Sequence, residues 1–361
     1  MMTIKNTFGV MLLAGLSSFQ MNAHAVPIYD QGGNRVHLDG RVLGRHFFSQ
    51  NKAMSGDAVI ARINLWAETD INDQMYGYSR FEHDFRANKA ESEPGEDYTR
   101  YAYVGISAGE YGYFDYGRND SVFYDVVRWT DIFPVWGAGS FSIDNFLSRR
   151  SSGSFSYHNR DLFTLVKGLE AGFQFQGKKE GNTPALKQNG NGYGMSLTYK
   201  IPDTGISLGG SYIRSSRTDA QKKLALGSGD NMEAWVAGAN LEHAPFYAAV
   251  LYSESRNLNP VRSSALNISG FANKAKSFEA VASWNTPLSI TASAGYIQSR
   301  GEGLESIGNA WLDKALVFFA AYPFNDNFRI TTEYKKSLLK KDNALRLANQ
   351  DALAVTMIYV F

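Results

Sequence analysis

The sequence predicts an all-β protein: a transmembrane, up-and-down antiparallel β-barrel of about sixteen strands. Three features lead there. Apolar and polar residues alternate with period two along segment after segment, and the polar face carries charges in mid-strand. Short turns and long polar loops alternate as connections, which describes a meander with two unlike ends. The last strand stops on an aromatic residue, Phe361, with no polar tail.

The N-terminus is set apart from the barrel. Lys5, the apolar run from Phe8 to Leu16 and Ala23-His24-Ala25 read as a secretory signal peptide over residues 1–25. The run is too short to span a bilayer. Residues 26–361 then form one barrel domain with no internal boundary. The chain holds 36 Lys and Arg against 35 Asp and Glu, and loss of Lys5 brings the two to parity. A neutral total argues against a nucleic-acid partner. Cysteine is absent, so an exported chain must draw its stability from a hydrogen-bonded framework instead of disulfides. No apolar run of about 18 residues follows the signal peptide, so no membrane helix is predicted.

The strands follow in order. In 36–48, Val36, Leu38, Gly40, Val42 and Gly44 share one face; His37, Asp39, Arg41, Leu43 and Arg45 share the other. In 59–68, Val59, Ala61, Ile63 and Leu65 oppose Arg62, Asn64 and Glu68. In 75–85, Phe81 and Phe85 oppose Arg80, Glu82 and Asp84. In 99–106, Tyr101 and Tyr103 oppose Arg100, Ala102 and Val104. Strands are also expected at 112–118, 152–157, 168–177, 192–202, 204–216, 231–244, 246–256, 275–286, 288–300, 309–323, 326–338 and 350–361. In the last, Val355, Met357, Tyr359 and Phe361 fall on one face. A sandwich would show the same alternation, but not repeated charges on its other face. A barrel of this size encloses water, and its closure leaves no strand edge unpaired.

One stretch breaks the alternation. Asn119–Arg149 carries Phe133, Pro134, Trp136, Gly137 and Phe141, with the acids Asp120, Asp125, Asp131 and Asp144. It lacks the caps and the periodicity of a helix. Loops longer than about 12–15 residues without structure of their own are functional or disordered, and this one is too aromatic for disorder. Its aromatic residues must pack against something while its acids face water. The lumen of a water-filled barrel offers both.

These residues carry a resemblance. Ile28-Tyr-Asp30, Asp39-Gly-Arg41, Ala61-Arg62, Thr99-Arg100, Phe114-Asp-Tyr-Gly-Arg-Asn119, Thr130-Asp131, Gly270-Phe-Ala-Asn-Lys274 and the final Phe361 span the mature chain. Together they resemble the general trimeric porins of enterobacterial outer membranes. The resemblance implies a homotrimer in the outer membrane, passive diffusion of small hydrophilic solutes and ions, and a third extracellular loop folded into the lumen as the constriction. It implies that outer-membrane lipid, lipopolysaccharide and the barrel-assembly machinery are partners, with Phe361 as the assembly signal.

Carried over by motif, the basic wall of the constriction is Arg41, Arg62, Arg100 and Arg150; the wall acid is Glu82 and the first loop acid Asp131. Arg149 adjoins Arg150, and a one-residue slip exchanges their faces. Where the family's loop tip carries a second acid, this chain has Val135. The expectation is a weakly selective or mildly anion-preferring channel. At the trimer interface the small residues Gly40 and Gly44, with Ser151 and Gly153, face outward, and Glu91 pairs with Arg118 of a neighbour. Two other functions were weighed. A sugar-selective channel needs an aromatic slide, whereas the inward positions are mainly charged and small. An outer-membrane enzyme needs a nucleophile and base; Gly105-Ile-Ser-Ala-Gly109 ends a strand at a turn, with no helix to follow. The six His are scattered and no H-E-x-x-H occurs, so no metal or cofactor is expected.

Overall fold

The structure, a computed structural model, describes residues 26–90, 92, 93, 96–137 and 144–361. The expected signal peptide and Glu91 lie outside the described residues. A sheet of 17 strands closes on itself. Sixteen form the wall: β1 Asn34–Ser49, β2 Gly56–Asn72, β3 Met75–Arg86, β4 Tyr98–Ser107, β5 Tyr113–Asp120, β6 Arg150–Asn159, β7 Leu169–Gln176 and β8 Gly192–Lys200 come first. β9 Ile206–Ser216, β10 Asn231–His243, β11 Phe246–Arg256, β12 Lys274–Asn285, β13 Thr291–Leu304, β14 Gly308–Pro323, β15 Phe328–Ser337 and β16 Ala352–Val360 complete it. Each pairs antiparallel with the next, and β16 returns to β1 with Thr356 opposite Arg45. No helix among the described residues is long and apolar enough to cross a membrane.

The two chain ends share one partner strand. The N-terminal segment Val26–Gln31 pairs with the first part of β1, with Tyr29 opposite Val36. β16 pairs with the rest. The N-terminal segment reaches Leu38, and beyond it the C-terminus takes over at Gly40, whose N–H donates to the Phe361 carbonyl at 3.0 Å and whose carbonyl accepts from the Phe361 N–H at 3.1 Å. A Cβ on Gly40 would sit 2.6 Å from the Phe361 ring and press on the Arg62 carbonyl. Gly40 is therefore not a free interface glycine, as the sequence led us to expect. Its missing side chain makes room for this chain's own terminus. A Cβ on Gly44 would meet nothing within 4 Å.

The wall is inside out relative to a soluble protein. Ile63 and Leu65 are 40% and 36% exposed, while Asn64 between them is 4% exposed. Phe81 and Phe85 stand out around buried Glu82; Met357 and Tyr359 stand out around buried Thr356 and Ile358. So large a belt of exposed apolar side chains marks a surface made for lipid.

Three expectations need correction. On β4, Glu82 faces Tyr101 and His83 faces Thr99, so Arg100 is an extra, bulged residue. Beyond the bulge the faces exchange: Tyr101 is buried inward and Val104 points out at 62% exposure. Period-two counting fails there because the bulge adds one residue. Second, Asn119–Arg149 does hold a helix, the single turn α1 (Tyr124–Val127). Third, the loop after β11 contains a hairpin, Pro260–Ser263 with Ile268–Phe271.

The largest apolar core lies inside the barrel. Ile213, Met232, Val236, Leu251, Val281, Ile297, Val317 and Phe319 line the inner faces of β9–β14 and pack under the inserted loop. Inward positions on this side are thus apolar where the loop packs on them, and mostly serine elsewhere.

Gly40→Leu should overpack the seam and cost roughly 1–3 kcal/mol, while Gly44→Leu should cost the single barrel little, since nothing of the same chain lies near it. The temperature at which the folded gel band converts to the unfolded one measures the difference.

Candidate functional site

The loop from β5 to β6 is held by packing first. Val122, Phe123, Val126, Val127, Trp129, Ile132, Phe133, Phe146 and Leu147 are all buried. Full burial of such side chains contributes about 1.5–3 kcal/mol each, more than any single ion pair in the loop. Hydrogen bonds then fix its course along the wall. Tyr247 Oη donates to the Trp129 carbonyl at 2.6 Å, and Thr130 Oγ1 to Glu279 Oε2 at 2.6 Å. At the tip the amides of Val135 and Trp136 both donate to Glu333 on β15, at 3.0 and 2.6 Å.

The acids of this loop are paired with cations of the chain, and of the four only Asp144 is exposed. Asp125 accepts from His158 Nε2 at 3.0 Å and Ser196 Oγ at 2.7 Å, and lies 3.2 Å from Arg128. Burial alone would raise the Asp125 pKa; His158 and then Arg128 outweigh it and hold the carboxyl below its usual range. Asp120 lies 3.8 Å from Arg128. Asp131 accepts from Tyr124 Oη at 2.6 Å and Arg149 Nη2 at 2.8 Å. Asp144 pairs with Arg118.

Across the lumen, four guanidiniums stand on four adjacent strands: Arg41, Arg62, Arg80 and Arg100. Buried Glu82 sits among them. It accepts from Arg80 at 2.6 Å and from Arg100, and lies 3.5 Å from Arg62. Asp84 clamps Arg62 through two bonds, at 2.5 and 2.8 Å. Asp39, beside the cluster, is bonded by Asn64 at 2.8 Å. Arg41 has no carboxylate at ion-pair distance among the described residues. The β4 bulge turns Tyr101 into this group. Its ring lies 4.1 Å from the Arg80 guanidinium and 5.7 Å from that of Arg150, and its hydroxyl donates to Asp120 at 3.0 Å.

The structure therefore brings Arg41, Arg62, Glu82 and Arg100 together on one wall. It sets Arg150 against Tyr101, while Arg149 serves the loop as partner of Asp131. Val135 is at the tip, against Glu333. Arg118 is engaged within its own chain: it donates to the Thr99 carbonyl at 2.8 Å, to Ser152 at 3.3 Å and to Asp144. Ser151 is fully buried and so does not face outward. Sequence reasoning missed three members of the site. Arg80 was legible, since alternation put it on the face of Glu82. Tyr101 was hidden by the bulge. Glu333 was hidden because its partners lie 198 and 197 residues away.

Comparison with known proteins agrees with this architecture. A family model described as Gram-negative porin matches residues 31–361. The chain is 39% identical over 358 residues to outer membrane porin PhoE of Enterobacter cloacae, covering 99% of each chain. It is 36% identical over 363 residues to outer membrane porin N of Escherichia coli, covering 94% of this chain and 95% of the other. Among solved structures, Salmonella typhi OmpF in complex with daunomycin superposes with a TM-score of 0.86 at 32% identity, covering 93% of this chain and 100% of that one.

Glu333→Ala removes the acceptor of both tip amides. Hydrogen bonds to a charged group contribute about 1.5–3 kcal/mol each, so the tip should come loose. Single-channel recordings should show a noisier open current, with Glu333→Gln intermediate because it keeps one acceptor oxygen.

Proposed function

The chain belongs to the Gram-negative porin family, and from that premise we propose that its channel is weakly selective or mildly anion-preferring and works as one of three in a homotrimer. As a member of the family it is an outer-membrane channel for passive diffusion of small hydrophilic solutes and ions, not an enzyme. Transport needs no covalent chemistry. The protein supplies the radius of the pore and the field across it.

One observation carries the selectivity. Every described acid of the loop is in an ion pair within the chain, with Arg118, Arg128 or Arg149. On the wall, the five arginines Arg41, Arg62, Arg80, Arg100 and Arg150 outnumber the four acids Glu82, Asp84, Asp39 and Glu333, and Arg41 and Arg150 keep no carboxylate partner among the described residues. The usual second loop acid is replaced by Val135. The uncompensated charge at the constriction is thus positive, although the whole chain is nearly neutral. A sugar-selective channel is not favoured: Trp66 lies under Arg80 at 5.1 Å and Tyr101 under two guanidiniums, so the faces of these rings are taken by cations.

The trimer rests on the family and on the small outward Gly44, which lets a neighbouring backbone approach in lipid. The pairing of Glu91 with Arg118 of a neighbour would compete with the bonds Arg118 makes to Thr99, Ser152 and Asp144 of its own chain. Cleavage of a signal peptide over 1–25, contact with lipopolysaccharide, and recognition of Phe361 by the barrel-assembly machinery belong to the same reading.

A unit charge about 10 Å from a passing ion contributes roughly 0.4 kcal/mol in water and 1.7 kcal/mol at an effective dielectric near 20. Val135→Glu should therefore move the permeability ratio toward cations by roughly two- to twenty-fold, read from reversal potentials in a salt gradient. High salt should shrink the shift. A wild type as cation-selective as porins that carry the tip acid, unmoved by Val135→Glu, would remove Val135 from the constriction. On unheated gels the wild type should run as a trimer, and a monomer at all temperatures would end that part of the reading.

A further inference from the structure

We propose that Gly209 on β9 and Gly295 on β13 are positioning residues that set how far the constriction loop stands from the wall, and so the cross-section of the pore. Glycine weakens a strand and commonly marks a close approach of other atoms. Neither residue adopts a left-handed backbone, so neither is there for its conformational freedom. Both point inward: Ser207 and Ser211 flank Gly209 on its face and are buried, as Ser293 and Ile297 are beside Gly295. Space is the reason for glycine. A Cβ on Gly209 would lie 2.6 Å from the Trp129 ring, 3.0 Å from the Thr198 methyl on the neighbouring strand and 3.2 Å from Val126. A Cβ on Gly295 would lie 2.5 Å from the edge of the Phe133 ring.

Two loop aromatics thus sit in sockets that any other residue would fill. Carbon atoms rest at about 3.5–4.0 Å, so even a methyl group would push each ring off the wall by about 1 Å. The wall blocks retreat on one side. The loop can yield only toward the lumen. Gly194 and Gly238 also approach loop valines, but wall atoms crowd them as closely, Ile213 at 2.8 Å and the Val250 carbonyl at 2.9 Å. Their glycines serve the sheet as well. At Gly209 and Gly295 the nearest atom belongs to the loop. Glu279 and Glu333 fasten the loop along its length; the sockets decide its depth.

The test is conductance with a compensating pair. Gly295→Ala should lower single-channel conductance by roughly a third to a half and move the cut-off for sugars of graded size, measured by liposome swelling, to smaller molecules. Gly295→Ala with Phe133→Leu removes the ring edge that meets the new methyl, and conductance should return toward wild type. Gly209→Ala with and without Trp129→Leu should behave alike. Gly210→Ala, one residue away on the outer face, should conduct as wild type. If Gly295→Ala conducts as wild type and only its heat resistance falls, the glycines are packing residues and the proposal fails; it fails equally if the double variant restores nothing. If Gly295→Ala does not assemble, Phe133→Leu alone decides. It leaves the socket part empty and should give a larger or noisier current, and an unchanged current overturns the idea.

Discussion

Every backbone N–H and C=O in a lipid-embedded sheet must find a partner within the protein, because hydrocarbon offers none. The rest of the molecule depends on how that demand is met at the one place where the ring is not continuous. Here the segment Val26–Gln31 and the C-terminal strand both lie along β1, the first as far as Leu38 and the second from Gly40 onward. The Phe361 main chain bonds to Gly40 in both directions, and its ring occupies the space a side chain would take. A closed ring then allows polar and charged side chains to face a water-filled interior while Ile63, Phe81, Val104 and Met357 face lipid.

A barrel of sixteen strands cannot fill its interior with its own side chains. The inserted loop resolves this on one side only. Against β9–β14 it builds a dry core of Val122, Phe123, Trp129 and Phe133 over Ile213, Val236, Leu251 and Val317. The opposite side, β1–β4, stays wet and carries the arginines. The pore is what remains between a packed half and a charged half. Its width follows from how closely the loop is seated, and its field from what the charged half leaves uncompensated.

That field is shaped more by pairing than by number. The loop's four acids are each tied to a cation of the same chain, and Glu82 is shared by three arginines. Buried charges of this kind are held by partners because desolvation would otherwise penalise them. Arg41 and Arg150 are left without a carboxylate at ion-pair distance among the described residues. Tyr101 adds an electron-rich ring that both the Arg80 and Arg150 guanidiniums approach.

The sequence by itself determined the barrel, its strand number, its two unlike ends and the identity of the inserted stretch. Period two, turn length and a break in alternation are local properties, and they survive in one dimension. It also placed Arg41, Arg62, Glu82 and Arg100 on inward faces or nearby, since a charge in a lipid-facing wall must turn to water. The tertiary structure alone decided which charges meet. A single bulge at Arg100 reversed the face of Tyr101. Arg118, read as an interface residue, was claimed by Asp144 and Thr99, and Gly40 by Phe361. Glu333 found its partners almost 200 residues away. Alternation tells which side of a strand a residue takes; only the closed ring and the seated loop bring distant sides together.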